Sequence, residues 1–483
     1  MKKILVLTFA LIFATTLANA QFIEDALRFI KSNTYPNARA AALGFSYFGF
    51  SDDAAALVTN PAGMTLIPMS EIGLGLNLTH HNVETDYLSN NREDKKNDFY
   101  FSNVQFVMPS YSLNDAFRVS YGFSYSLDND FDNNTRFSGY NTENSFIGQQ
   151  SDARQHWTTY TGVADSNYNT LAANNLMQEG YIKESGGLHN LSFAAAMDFS
   201  GDFSFGATLN LKFGSYDYSK RYIETDINNL HNTYWVDDLW QLQVRDKLTQ
   251  DLIGVSGIIG FQYRLNDFLR IGLAMQIPTL LAVTEHFSSE YNVQFDPDSL
   301  HPSGDTQKYL TGESSQDYTM ITPFEFKLGV SGSYMGVSYS VAGSILDASS
   351  AYFNRENDYD TFDDLLYFDD LNDAISENLS MQYTFGIGLE YKIPPAPVYV
   401  RGGWSIVTSP YKDSDLGSTT NIFGLGVGLL LSENFVCDIA FNYNTYDVQR
   451  ANYGNADAPR YFAKYNAGIS ASSYMLGFRY RFN

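Results

Sequence analysis

The feature that most constrains this chain is a beat of two. Phe203, Phe205, Ala207, Leu209, Leu211 and Phe213 alternate with Ser204, Gly206, Thr208, Asn210, Lys212 and Gly214. That spacing puts every large apolar group on one face of an extended strand. The same beat returns at Phe117, Val119, Tyr121, Phe123, Tyr125 and Leu127, at Met381 to Tyr391, and at Phe435 to Tyr443. Such runs exceed the usual strand of a soluble protein. They suit a tilted strand crossing a bilayer, which needs roughly nine to eleven residues. Fourteen segments qualify: 70–80, 99–112, 116–127, 187–200, 202–217, 251–264, 267–281, 320–334, 335–347, 379–393, 396–408, 418–432, 434–447 and 469–482. The second changes phase near Asn103, which predicts a β-bulge.

The connections fall into two alternating classes. Six are tight, such as Ser200-Gly201-Asp202, Leu265-Asn266-Asp267 and Ser432-Glu433-Asn434. The others are mostly long, notably 128–186, 218–250, 282–319, 348–378 and 448–468. A soluble, secreted all-β domain is the alternative, and it has no reason for this asymmetry. An outer-membrane barrel has short periplasmic turns and long external loops. The predicted fold is therefore all-β, a fourteen-stranded antiparallel transmembrane β-barrel over 70–483. Its even strand count places both termini in the periplasm. The last run, Tyr474, Leu476, Phe478, Tyr480 and Phe482, closes it.

Residues 1–20 read as a signal peptide: Lys2 and Lys3, an apolar core from Ile4 to Ala14, then Ala18-Asn19-Ala20 before Gln21. The chain carries 54 acidic against 30 basic residues, a net charge of −24. That balance excludes a nucleic-acid partner, which needs a basic face. The single cysteine, Cys437, excludes a disulfide framework. No phosphate-binding loop, zinc-protease motif or nucleophile elbow is present. The chain reads as a non-enzyme with no cofactor and no metal centre. The adjacent pair His80-His81 ends the first strand and reads as a solvated loop edge rather than a ligand set.

Residues 21–69 break the beat. Phe22, Ile23, Ala26, Leu27 and Ile30 have helical spacing. Small residues and turn formers follow: Ala38 to Gly44, Ser51-Asp52-Asp53-Ala54 and Asn60-Pro61-Ala62-Gly63. A fourteen-stranded barrel encloses a lumen too wide for its own side chains. This Ala-rich segment is too apolar for a solvated periplasmic tail and is expected to plug the lumen. By alternation Arg118, Lys212, Arg264, Arg270, Lys327, Arg401, Arg479 and Arg481 face inward, against fewer acids. Those cations are expected to hold Asp52 and Asp53, or to guide a carboxylate headgroup.

On these residues the chain resembles the FadL/TodX family of outer-membrane transporters for hydrophobic compounds. Arg39 to Gly44, Asp52-Asp53-Ala54 and Asn60-Pro61-Ala62-Gly63 match that family's hatch signature in order. The resemblance implies passive transport of hydrophobic, long-chain fatty-acid-like molecules by a monomer in outer-membrane lipid, with the hatch as its gate. A similar hatch occurs in secretion shuttles resembling PorV, which bind a protein partner through their loops. Two loops bear on the choice. In 218–250, helical spacing would group Trp235 with Leu239 and Leu242, and Val236 with Trp240, as a hydrophobic capture surface. Loop 348–378 carries Glu356, Asp358, Asp360, Asp363, Asp364, Asp369, Asp370, Asp373 and Glu377 without EF-hand spacing, and is expected to be solvated.

Overall fold

The computed structural model describes residues 19–30, 32–111, 117–199, 201–231, 239–266, 268–296, 306–355, 362–453 and 462–483. The signal segment lies outside the described residues, apart from its last two positions. Fourteen antiparallel strands form one closed sheet. They are β1 (Ser70–Tyr87), β2 (Asn90–Tyr111), β3 (Phe117–Asp130), β4 (Leu176–Phe199), β5 (Phe203–Thr225), β6 (Leu239–Asn266) and β7 (Leu269–Phe295). Then come β8, interrupted into Ser314–Ile321 and Glu325–Tyr334, β9 (Val337–Asp347), β10 (Met381–Ile393), β11 (Val398–Val407), β12 (Thr420–Ser432), β13 (Phe435–Tyr453) and β14 (Ala463–Phe482). Closure is direct: β14 pairs with β1 from Ser70↔Phe482 to Asp86↔Asn466. All fourteen coincide with the alternating segments, and Ser102 is squeezed out of the β1–β2 ladder beside Asn103.

The beat has the expected cause. Along β10, Tyr383, Phe385, Ile387 and Leu389 face outward and exposed, whereas Thr384 and Glu390 are buried in the lumen. Leu209 and Leu211 on β5, Ile253 on β6 and Leu425 on β12 extend the same exposed apolar belt. In water this belt would be prohibitive; in hydrocarbon it is the required surface, and closure leaves no backbone edge unpaired.

The strands run well past the belt. Those from β4 to β7 have 24, 23, 28 and 27 residues, more than twice the roughly nine to eleven a crossing needs. Most of 218–250 and of 282–319, which read as long loop, is therefore paired strand. At the opposite end the turns are tight, as at Met335 and Gly336, both with positive φ (52° and 81°) in the hairpin joining β8 to β9.

Two loop expectations need correction. Residues Phe362–Asn378 form a 17-residue helix rather than a solvated loop. Phe368, Leu371 and Ile375 are buried on one face, while Asp369, Asp370, Asp373 and Glu377 stay exposed on the other. The side chains of Glu356, Asp358, Asp360, Asp363 and Asp364 lie outside the described set. The second correction concerns 239–244, which is strand and not helix. A bulge between Leu239 and Gln241 shifts the phase. Leu239, Leu242 and Val244 are buried with Tyr87, Phe137, Ile147 and Trp157, whereas Trp240 is 42% exposed. Trp235 and Val236 lie outside the described residues.

Candidate functional site: the hatch and the cavity beside it

The chain before β1 lies inside the barrel. A helix, α1 (Asn19–Ile30), sits at the long-loop end, where Ala26 and Phe29 pack with Phe131, Tyr216, Leu371 and Ile375. Strand parity puts Ser70 at the short-turn end, but the segment ahead of it runs through the lumen. Ser32, Asn33 and Thr34 bond to β3; Asn33 Nδ2 donates to the Asp130 carbonyl at 2.7 Å. Three short helices follow: α2 (Ala38–Leu43), α3 (Tyr47–Phe50) and α4 (Ala56–Thr59). Asn37 caps α2 by accepting from Ala40 N–H at 2.8 Å.

Each motif residue has a physical role here. Gly44 holds φ +60° and ψ −149°, which a residue with a Cβ resists, and a Cβ there would lie 2.7 Å from Ser405 Oγ. Asn60 caps a 3₁₀ turn over Pro61–Leu66, accepting from Ala62 N–H at 3.3 Å and donating to the Phe261 carbonyl at 3.2 Å. Pro61 occupies the first helical position, where a missing N–H costs nothing. Ala62 is fully buried. Gly63 is required by contact rather than by backbone angle: a Cβ would sit 1.8 Å from the Ser51 carbonyl oxygen.

The hatch is tied to the wall by ions. Arg39 forks onto Glu390 of β10, with Nε at 2.9 Å and Nη2 at 3.1 Å, and also reaches Asp52 and Asp53. Arg401 of β11 bridges Glu390 to Asp438 of β13. Arg479 of β14 binds Asp438 at 3.0 Å and Asp53 at 3.2 Å. Asp53, wholly buried, also accepts from Asn37 Nδ2 at 3.0 Å, the Tyr47 hydroxyl and Ala55 N–H at 3.1 Å. Burial alone would raise its carboxyl pKa; the Arg479 and Arg39 guanidiniums outweigh that and hold it well below the usual carboxylate range. Glu71 of β1 adds a further tie, accepting from Ala54 N–H and Arg481 Nε.

The remaining inward cations divide. Arg270 reaches Asp52 at 3.4 Å and Arg118 donates to the Thr65 carbonyl at 2.9 Å, so both touch the hatch. Lys212 pairs with Asp128 at 2.6 Å and Lys327 with Glu325 at 3.0 Å, and both line a cavity. Arg264 is exposed at the short-turn rim. Sequence reasoning missed Glu71 and Glu390 as hatch anchors. Their signal was present: each is an acid at an inward position of an otherwise apolar beat.

Between the hatch and α1 lies a cavity of ≈590 Å³. Phe29, Phe45, Phe48 and Ile258 give it apolar wall; the pairs Lys212–Asp128 and Lys327–Glu325 give it charged spots. Beside it the barrel ladder thins. Between Gln276↔Glu325 and Leu280↔Ile321, β7 and β8 each carry a proline, Pro278 and Pro323, that cannot donate. Thr279 and Thr322 bond to each other across the break, at 3.1 and 2.8 Å.

This arrangement defines a class: a bilayer-crossing barrel with an N-terminal hatch locked inside it by buried ion pairs. Within that class the chain has the FadL/TodX fold. It is similar to a Pseudomonas aeruginosa FadL homologue at 14% identity, covering 94% of this chain and 100% of that one, with a TM-score of 0.59. It is also similar to the Ralstonia pickettii toluene transporter TbuX (14% identity, 93% and 99% covered, TM-score 0.51). The Pseudomonas putida toluene transporter TodX is a third such structure (13% identity, 93% and 99% covered, TM-score 0.52). No protein-family model matches the chain, and no curated relative matches it.

Proposed function

We propose that this chain is an outer-membrane channel for hydrophobic and amphipathic small molecules, which it passes by passive diffusion. The observation that carries the reading is the cavity of ≈590 Å³ beside a docked hatch. Its size suits a small organic ligand. Its mixed wall suits an apolar body with an anionic head of the long-chain fatty-acid kind, with Lys212 and Lys327 near the head. The thinned ladder at Thr279 and Thr322 supports an exit toward the lipid beside the cavity. The solved structures of like fold include two toluene transporters, which supports an apolar cargo. In this reading residues 1–20 export the chain, 21–69 form the hatch, 70–483 form the barrel, and the protein works as a monomer in outer-membrane lipid. Leu239 and Leu242, expected in a capture surface on the external loop, are instead consumed by internal packing, so the cavity rather than that loop carries the transport reading.

The test is mass spectrometry of molecules co-purifying with the protein, followed by uptake of the identified compound into proteoliposomes. Uptake above that of barrel-free vesicles is expected. No bound amphiphile and no uptake would overturn the reading.

A further inference from the structure

At the long-loop edge of the cavity three unpartnered atoms face one another. His81 is an inward residue of β1, and Asp98 is inward on β2 opposite Thr79. Asp130 ends β3. His81 Nε2 lies 4.0 Å from Asp98 Oδ2 and 3.8 Å from Asp130 Oδ2, and the three atoms all lie within 4.8 Å of one another. None of the three has a hydrogen-bond partner. The Asp130 side chain is only 8% exposed. Its other oxygen accepts from Asp132 N–H at 3.0 Å, which turns Oδ2 toward the imidazole.

A buried carboxylate oxygen without a donor is costly and calls for an occupant. The gaps are too long for hydrogen bonds between the three groups. Lys96 does not fill the space: it bonds to Asp132 and stands 3.9 Å from the other oxygen of Asp98. An ion about 2.0–2.2 Å from each ligand holds them roughly 3–3.5 Å apart. A small closure of the side chains therefore reaches a metal's geometry. The set arises from neighbouring strands, so the backbone ladder already positions it.

We propose that His81, Asp98 and Asp130 form a binding site for a divalent transition cation of the zinc type. One imidazole with two carboxylates disfavours Ca²⁺ and Mg²⁺, which take oxygen sets. His81 and Asp130 line the cavity, which gives the ion an entry path and an open fourth position. The bound ion would clamp the ends of β1, β2 and β3 together. Asp130 is also where Asn33 docks, accepting Asp130 N–H at 2.9 Å and donating to its carbonyl. The site therefore stiffens the shelf that holds the lead into the hatch.

The test uses untagged full-length protein in detergent, stripped with chelator and titrated with Zn²⁺ by calorimetry. One Zn²⁺ per chain is expected at micromolar affinity or tighter. His81→Ala and Asp130→Asn should each weaken binding by about tenfold or more. His80→Ala should not, because that imidazole points the other way and bonds to Asn97. Heat-modifiable gel migration confirms that each variant is folded. Co²⁺ absorption of the unmutated protein reports nitrogen and oxygen ligation without any variant. Absence of stoichiometric binding, unchanged affinity in both ligand variants, or equal loss in His80→Ala would overturn the site.

Discussion

Replacing Asp53 with Asn should loosen the hatch while leaving the barrel closed. The substitution keeps shape and removes one charge from between Arg39 and Arg479, which reach Asp53 at 3.1 and 3.2 Å. Because Asn37 Nδ2, the Tyr47 hydroxyl and Ala55 N–H all bond to Oδ1 and the two guanidiniums to Oδ2, the new amide N–H₂ must face either those three donors or the two cations. Glu390 and Asp438 still neutralise part of the two guanidiniums. Breaking one partner of a buried ion pair costs about 3–5 kcal/mol, and the residual pairing places this case near the lower figure. At 1.4 kcal/mol per decade, the hatch's opening equilibrium rises roughly a hundredfold. Hydrogen exchange read by mass spectrometry measures this directly: protection of amides in 38–43 and 54–66 should fall by about that factor. The strand amides should keep theirs, since their bonds do not pass through Asp53. Unchanged hatch protection in a variant with normal heat-modifiable migration would refute the view that the ion network holds the hatch.

Five further outcomes are expected. Burial pushes the Asp25 carboxyl of α1 up to about 6 despite Arg28 beside it. A raised carboxylate pKa favours the docked state below the unfolded value near 3.9, and that advantage of about 2–3 kcal/mol fades as pH climbs to 6. Exchange protection of 23–30, corrected for intrinsic rate, should therefore be lower at pH 7 than at pH 4. Asp53 behaves oppositely: its contribution is complete above about 3.9 and is lost only as pH falls further, so protection of 38–43 should be flat from pH 8 to 4.5. Gly63→Ala forces a methyl against the Ser51 carbonyl and should destabilise the hatch by about 1–3 kcal/mol or more, read by the same exchange. Leu371→Ala should cost the loop helix about 2–5 kcal/mol of docking, seen as faster proteolysis there. Replacing Asn60 and Pro61 together with Ala should leave barrel assembly intact and change uptake of a fatty-acid probe; equal uptake at equal surface level would count against hatch gating.

The barrel was legible because lipid imposes one rule on every stave. An outward residue must be apolar wherever hydrocarbon touches it, so the beat survives across all fourteen strands. Beyond the belt that rule lapses. Tyr218 to Thr225 continue β5 with Ser219, Arg221 and Thr225 on the outward parity, and the continuation reads as loop. The helix at 362–378 was hidden for another reason: its acids crowd the exposed face and mask the spacing of Phe368, Leu371 and Ile375. At 239–244 a single bulge turned strand spacing into something that looks helical. The hatch motif was readable, and so were Arg270 and Arg479 as cations for Asp52 and Asp53; the tie from Arg39 to Glu390 was not, because the two lie 351 positions apart and meet only once the hatch is inside the barrel. His81 reads as a loop edge because β1 continues to Tyr87 with mostly polar residues, and its neighbours Asp98 and Asp130 come from two other strands rather than from local spacing.

The bond between Asp53 and Arg479 joins residues 426 positions apart, and Arg479 lies on the strand that seals the wall. Contacts of such sequence separation form late, because chain-closure entropy must be met before they repay it. The ladder that closes the wall spans nearly the same separation, from Ser70 to Phe482, so by this argument plug and wall are completed together at the end of assembly. A last strand that fails to seat would then leave the hatch unbolted as well as the wall open.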